Sequence, residues 1–429
     1  MLRRTLVVLV VLSGWVVAGE GWAGWWEGTG ATGQWGGLRP VVEDHGLTLG
    51  GRWGGTVLGV IDGGLDRKWT FEEELVFTAK IDAAKALRWE VLEGLTLFGE
   101  VRWRDGLNAN RYAGASPVFN PALYQSGKGW RLMPFGFRFV SPAKWGREGL
   151  FEVEGGWLNP YTTFIQQPGS KLFRNNMIHS SKGLTANGVG WSSSYAAWGG
   201  SLKLRPTKST YAVGGLYMAI PNGGATSNHG LDFAGGHPSG VNGIFALGEA
   251  GWTPSFLGLP GKYAFGGYYW GLEAVVFDGG MHDGRWGLYW QADQMIWREP
   301  AAGDSKGQQP SDQGLSLITY ASFAPPDENA MPFYFHVGAI YRGLIPGRDR
   351  DEAGIAFALG EYSHDLVQSE VDQGILQVHD AEGVLEFDYR IQLNRWAYIQ
   401  PFLQYLIRPG GQNAVPNATV LGMHVGVVF

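Results

Sequence analysis

The 429-residue chain has no cysteine, which removes disulfides, thiolate metal sites and thiol nucleophiles from consideration. Charged residues are only 17% of it, thin for a cytosolic enzyme. The formal net charge of −6 argues against a nucleic-acid partner. Nine histidines are scattered along the chain, and none stands at a metal-ligand spacing from a partner. Past the N-terminal segment, no stretch approaches the roughly 18 apolar residues that a membrane helix requires. If this chain enters a membrane, it does so as strands.

What is abundant points the same way. There are 68 Gly, 20 Trp, 17 Tyr and 22 Phe, a composition suited to many strands and tight turns with aromatic bands on an outer surface. The N-terminus, "MLRRTLVVLVVLSGWVVAGEGWA", places Arg3 and Arg4 before an apolar core from Leu6 to Val17, with small residues near Ala18, Gly19 and Ala23. This predicts a cleaved secretory signal over residues 1–19. Its removal takes two Arg and no acidic residue, so the mature charge falls from −6 to −8.

Alternation at period two recurs to the end of the chain. In "VLEFDYRIQLN", Leu385, Phe387, Tyr389 and Ile391 share one face, and Glu386, Asp388, Arg390 and Gln392 share the other. "LTLFGEVRWR" sets Leu97, Val101 and Trp103 opposite Glu100, Arg102 and Arg104, and "FEVEGGW" sets Phe151, Val153 and Trp157 opposite Glu152 and Glu154. Such segments have one apolar and one wet face. About sixteen of them start near Leu47, Trp69, Leu95, Trp130, Leu150, Ser194, Tyr211, Gly243, Lys262, Trp286, Leu315, Pro332, Gly354, Val384, Ala397 and Thr419. Connections alternate between long, polar stretches (107–129, 160–193, 222–242, 363–381) and brief ones such as "RPTKST" and "NRW". An even number of strands with long loops at one rim and short turns at the other predicts a transmembrane antiparallel β-barrel. The segment "REPAAGDSKGQQPSDQG", with its 301–313 connection, breaks the pattern by being long where a short turn belongs. The chain ends on "LGMHVGVVF", with Val425, Val427 and Phe429 on the apolar face. A final strand zipped to the first leaves no frayed edge, and this ending resembles the signal read by the barrel-assembly machinery.

"GQWGGLRPVVEDHGLTL", "LYWQADQMIWREP", "ASFAPPDENAMPFYFHVGAIYRGLIPGRDRDEAGIAFA" and "EFDYRIQLNRWAYIQPFLQYLIRPGGQNAVPNATVLGMHVGVVF" resemble the carbohydrate-selective porins of the OprB type. Family members usually carry Asp before the Trp-Gly-Gly-Leu-Arg element, where this chain has Gln34. The resemblance implies a sixteen-stranded barrel in the bacterial outer membrane. It would be a homotrimer with lipid around it, passing glucose-like sugars and similar small solutes without cofactor or catalysis. The expected organisation is a signal over 1–19, a periplasmic or lumen segment over 20–46 with a short helix between Trp35 and Gly46, and the barrel over 47–429.

The alternation turns a set of charged residues inward: Lys80, Glu100, Arg102, Arg104, Arg138, Glu152, Glu154, Lys203, Arg205, Arg342, Glu386, Asp388, Arg390 and Arg408. Opposed Arg and carboxylates can hydrogen-bond sugar hydroxyls, each of which both donates and accepts. Rings of one sign would select ions instead. In sixteen-stranded porins the loop after strand five commonly folds inward, so Phe164, Phe173, Arg174, Asn175 and Asn176 are expected to narrow the pore, the rings stacking on a pyranose face. His336 and His424 read as polar lumen residues. Gly303, Ser305 and Gly307 match a hydrolase nucleophile spacing, but no helix follows to build the elbow. The acidic mature chain predicts at most a mild cation preference. A general-diffusion porin, or a barrel with an adhesive, structural or hydrolytic role, is the alternative to a sugar channel.

Overall fold

The computed structural model describes residues 22–124, 128–180, 187, 196–219, 227–234, 243–300 and 311–429. The signal over 1–19 and the Gly303–Ser305–Gly307 spacing lie outside the described residues. Sixteen long strands dominate: β1 (Leu47–Asp62), β2 (Trp69–Asp82), β3 (Leu95–Gly106), β4 (Gly129–Val140), β5 (Phe151–Leu158), β6 (Ala197–Leu204), β7 (Thr210–Ala219), β8 (Gly243–Trp252), β9 (Leu259–Trp270), β10 (Arg285–Arg298), β11 (Gly314–Phe323), β12 (Phe333–Arg342), β13 (Glu352–Glu361), β14 (Ala381–Gln392), β15 (Ala397–Ile407) and β16 (Ala418–Val428). Each begins within three residues of where the alternation predicts it.

Every strand pairs antiparallel with its chain neighbour, and β16 pairs with β1 in the register Trp53↔Val427, Gly55↔Val425 and Thr56↔His424. The sheet is therefore closed, and no strand edge is left over. Phe429 continues the seam: its backbone N–H donates to the Gly51 carbonyl at 2.9 Å, and its ring stacks on Phe77 at 6.4 Å. Ala31 donates to the Val428 carbonyl at 2.7 Å, and Trp25 packs on Trp396 at 4.8 Å. The segment before β1 is thus tied to the end of the barrel where the chain finishes. It carries the helix α1 (Leu38–Asp44), with Pro40 in the first turn, where its missing N–H costs nothing.

Tight connections are made where the sequence supplies glycine. Gly63, at φ +64° after β1, brings the chain so close to the Asn417 carbonyl that a Cβ would lie 1.7 Å from that oxygen. At the opposite rim, Asp351 organises the turn between β12 and β13. Arg348 grips both its oxygens at 2.9 Å, Tyr389 donates to one at 3.0 Å and the Gln392 N–H to the other at 2.9 Å. Burial alone would raise the Asp351 carboxyl, but these donors and the guanidinium hold it below the usual carboxylate range. β10 ends and β11 begins at this short-turn rim, and residues 301–310 of the long connection between them lie outside the described residues.

Apolar residues such as Val57, Phe77, Val101, Phe265, Ile355, Phe387, Leu403 and Met423 face outward and stay exposed, the belt a lipid-facing wall needs. Trp157 departs from this belt. It stands on the outward side of the alternation yet is buried, because Trp198 lies edge-on at 5.9 Å and Phe233, on the short helix Ser227–Ala234, reaches over it.

Candidate functional site

Among the described residues, the β3–β4 connection as well as the β5–β6 connection folds into the lumen. The β5–β6 loop folds inward and is pinned to the wall on several sides. Gln167 donates to the Ala292 and Thr319 carbonyls at 3.1 and 2.9 Å and meets His336 Nε2 at 2.7 Å. The Arg174 and Asn175 backbone N–H groups donate to Glu386 at 2.7 and 3.0 Å. The β3–β4 loop also turns inward, with Leu123 and Tyr124 N–H groups held by Glu72 at 3.0 Å each. The two loops clip together through Asn176 N–H to the Asn120 carbonyl at 2.9 Å and Asn175 Nδ2 to the Phe119 carbonyl at 2.9 Å.

Between these loops and the β1–β3 and β15–β16 wall lies a cavity of about 450 Å³. Arg52, Glu74, Glu100, Arg102, Arg104, Tyr124, Tyr161, Lys171, Arg174, His179, Tyr398 and His424 line it. Glu74 is the hub. Buried at 3% side-chain exposure, it meets Arg52 at 2.9 Å, Arg102 at 3.5 Å and Arg104 at 2.5 Å. A buried carboxylate is tolerable only when so paired. Arg102 also donates to Glu100 at 3.0 Å. The Tyr124 ring is within cation–π distance of two guanidinium groups, Arg104 at 5.8 Å and Arg174 at 5.5 Å, contacts that attract each cation to the ring. Across the cavity Arg390 sits over Tyr398 at 4.8 Å and bonds Glu352 at 3.0 Å and Gln400 at 3.0 Å. In the loop, burial together with Lys171 and Arg174 pushes His179 well below its usual value. The ring stays neutral, with Nδ1 2.9 Å from the Phe173 carbonyl.

The residues singled out in the sequence fall in four places. Glu100, Arg102, Arg104 and Arg174 line the cavity. Glu386, Asp388 and Arg390 face inward beside it, but Glu386 serves the loop backbone and Asp388 accepts from Gln400 at 2.5 Å. Arg138, Glu152 and Glu154 form a separate wall cluster: Arg138 reaches Glu152 at 3.2 Å and also bonds Glu154, while Arg205 meets Glu152 at 3.0 Å. Arg342 and Arg408 stand at the rims. Arg342, the last residue of β12, pairs with Asp312 at 2.8 Å. Arg408 is a correction to the inward set: β15 ends at Ile407, a left-handed φ of 48° breaks the alternation there, and the side chain pairs with loop residue Asp380.

The expected role of two aromatics also changes. Phe164 and Phe173 are fully buried because each presses on a glycine of the wall. A Cβ at Gly215 would lie 3.1 Å from Phe164, and one at Gly354 would lie 3.0 Å from Phe173 and 2.6 Å from Leu172. They anchor the loop, and the rings left to meet a solute are Tyr124, Tyr161 and Tyr398. Sequence reasoning missed Arg52, Glu72, Glu74, Tyr124 and Lys171. The signal available for Tyr124 was an apolar pattern, "VFNPALY", inside a loop otherwise read as polar surface.

A closed sixteen-stranded barrel with an apolar outer belt and a charged lumen narrowed by infolded loops defines an outer-membrane channel. The profile of the family described as carbohydrate-selective porin, OprB family, matches residues 72–429, and the chain belongs to that family. Porin B of Pseudomonas aeruginosa is 24% identical over an alignment that spans 92% of this chain and 90% of that protein. OprB of Pseudomonas putida in its high-pH structure superposes with a TM-score of 0.84 at 23% identity, covering 94% of this chain and 99% of that one. Its low-pH structure gives 0.58 at 20% identity over the same shares. The protein is thus a sugar channel of the bacterial outer membrane.

Proposed function

We propose that neutral sugars of monosaccharide size pass unchanged through the 450 Å³ cavity, held transiently by its Arg–Glu ladder and tyrosines. The observation that carries this is the meeting of donors (Arg52, Arg102, Arg104, Arg174), acceptors (Glu74, Glu100) and aromatic faces (Tyr124, Tyr161, Tyr398) around one space. Each sugar hydroxyl exchanges water partners for a donor and an acceptor on the wall. The apolar face of a pyranose covers a ring. Replacing Arg102 and Arg104 together with Gln tests it: sugar block of the ion current should weaken while the channel stays open and folded. An unchanged block would assign recognition to other residues.

Export by residues 1–19 and insertion directed by Val425, Val427 and Phe429 complete the reading. The β16–β1 closure and the Phe429–Gly51 bond support it. A homotrimer is supported by Glu73. This carboxylate stands on the outward side of β2, between Gly55 and Asp105, buried and accepting from Trp53 Nε1 at 2.9 Å. A charge in the lipid belt is costly, whereas a wall facing another copy of the chain can hold it.

A further inference from the structure

Along the chain no histidine stands at a metal-ligand spacing, yet the fold brings one to two carboxylates. His282 lies in a small hairpin (Ala274–Val275 paired with Met281–His282) within the β9–β10 connection. Asp327 and Glu328 lie in the β11–β12 connection. The two connections touch through the Phe277 N–H, which donates to the Asp327 carbonyl at 2.9 Å. His282 Nδ1 is 3.1 Å from Glu328 Oε2 and 3.6 Å from Asp327 Oδ2. One ligand atom from each of the three residues falls within 4.8 Å of the others.

We propose that these three side chains bind a divalent transition cation of the zinc class and so brace the two connections against each other at the long-loop rim of the barrel. Zinc takes nitrogen and oxygen ligands at about 2.0–2.1 Å in a tetrahedron, whose edges are then about 3.3 Å. The His282 contacts of 3.1 and 3.6 Å bracket that edge. Water would fill the fourth corner. An imidazole in the set favours zinc over calcium, which requires six to eight oxygens.

The surroundings of Glu328 point independently to a cation as its partner. It is 3% exposed, and among the described residues no Lys or Arg lies within 4.0 Å of it; its one ion-pair partner is the imidazole of His282. Two other buried carboxylates are answered by several partners each: Glu74 by three Arg, Glu249 by two tyrosine hydroxyls, Gln291 and a backbone N–H. Buried charges are paired or coordinate metals. Asp327 Oδ1 is likewise buried without a hydrogen-bond partner.

The test uses the full-length, detergent-solubilised protein stripped with chelator and titrated calorimetrically with zinc chloride, with magnesium as control. One zinc per chain should bind, magnesium should not compete, and His282→Ala and Glu328→Gln should each weaken binding at least tenfold while migrating as folded, heat-modifiable barrels. Hydrogen exchange on the unaltered protein supplies a second readout, in which zinc should slow exchange in residues 271–284 and 324–332 together. Absence of zinc binding, binding unchanged in both variants, or protection of neither segment would overturn the proposal.

Discussion

The cavity walls carry five cations, Arg52, Arg102, Arg104, Lys171 and Arg174, against two carboxylates, Glu74 and Glu100. Counting Lys, Arg and carboxylates alone, this part of the lumen is therefore +3, opposite in sign to the chain as a whole. An ion in transit feels the nearby wall and not the distant surface, so the channel should prefer anions, against the mild cation preference that net charge predicts. The perturbation is Arg52→Gln with Lys171→Gln, which lowers the cavity to +1 and leaves Glu74 paired with Arg102 and Arg104. A 450 Å³ space has a radius of about 5 Å. At that distance one charge acts on an ion with ~0.8 kcal/mol in water, and screening over about 8 Å leaves roughly half. Removing two charges thus costs an anion ~0.9 kcal/mol, about 4.5-fold in occupancy, and favours a cation by as much, moving the anion-to-cation permeability ratio about twentyfold. The zero-current potential of a planar bilayer across a potassium chloride gradient measures that ratio. A cation-selective unaltered channel, or a ratio unmoved by the double substitution, would refute the local-charge argument.

Other substitutions probe the wall, the loop and the seam. Phe387→Arg places a charge against lipid midway along β14 and should destabilise the barrel by roughly 2–4 kcal/mol, read as a lower midpoint of heat-modifiable migration; an unshifted midpoint would mean the residue does not face lipid. Gly354→Val pushes a side chain into Leu172 and Phe173 and should displace the infolded loop, changing single-channel conductance while the barrel still inserts; unaltered conductance would show that the loop does not set the pore. Because His179 is held neutral with its pKa below the unfolded value of about 6.5, the unfolded state binds more protons, so stability should fall as pH drops below about 6.5. His179→Gln should flatten that slope in a melting series between pH 7.5 and 5, and an equally steep variant would assign the slope elsewhere. Deleting Phe429 removes the Gly51 bond and the Phe77 stack and should leave exported protein poorly inserted; normal yields of heat-modifiable barrel would contradict that role.

The strands were legible because each has two unlike solvents, lipid and lumen, and so writes its register into every second residue. The closure was legible for the same reason, since "LGMHVGVVF" has an apolar face up to its last residue. Legibility failed where that alternation is interrupted. "FEEEL" puts three glutamates in a row, so the pattern could not tell that Glu72 holds a loop, Glu73 faces outward and Glu74 is the hub of the arginine ladder. Arg408 follows the polar parity of β15, but the strand ends one residue earlier. The infolding of the β3–β4 loop left little trace, because a loop that packs inside a wet lumen keeps the Gly, Asn and Pro of a surface loop. Phe164 and Phe173 were recognisable as loop aromatics, but their orientation depends on wall glycines distant in sequence, Gly215 and Gly354. His282, Asp327 and Glu328 meet only because two connections converge.

The central claim is that the lumen favours neutral sugars through paired donors and acceptors, and flux into liposomes tests it most directly. Purified protein should admit glucose-sized neutral sugars faster than a general-diffusion pore of equal ionic conductance, and the Arg102→Gln, Arg104→Gln channel should lose that advantage while conducting ions. Equal sugar flux through this channel and the general pore at matched conductance would contradict the account.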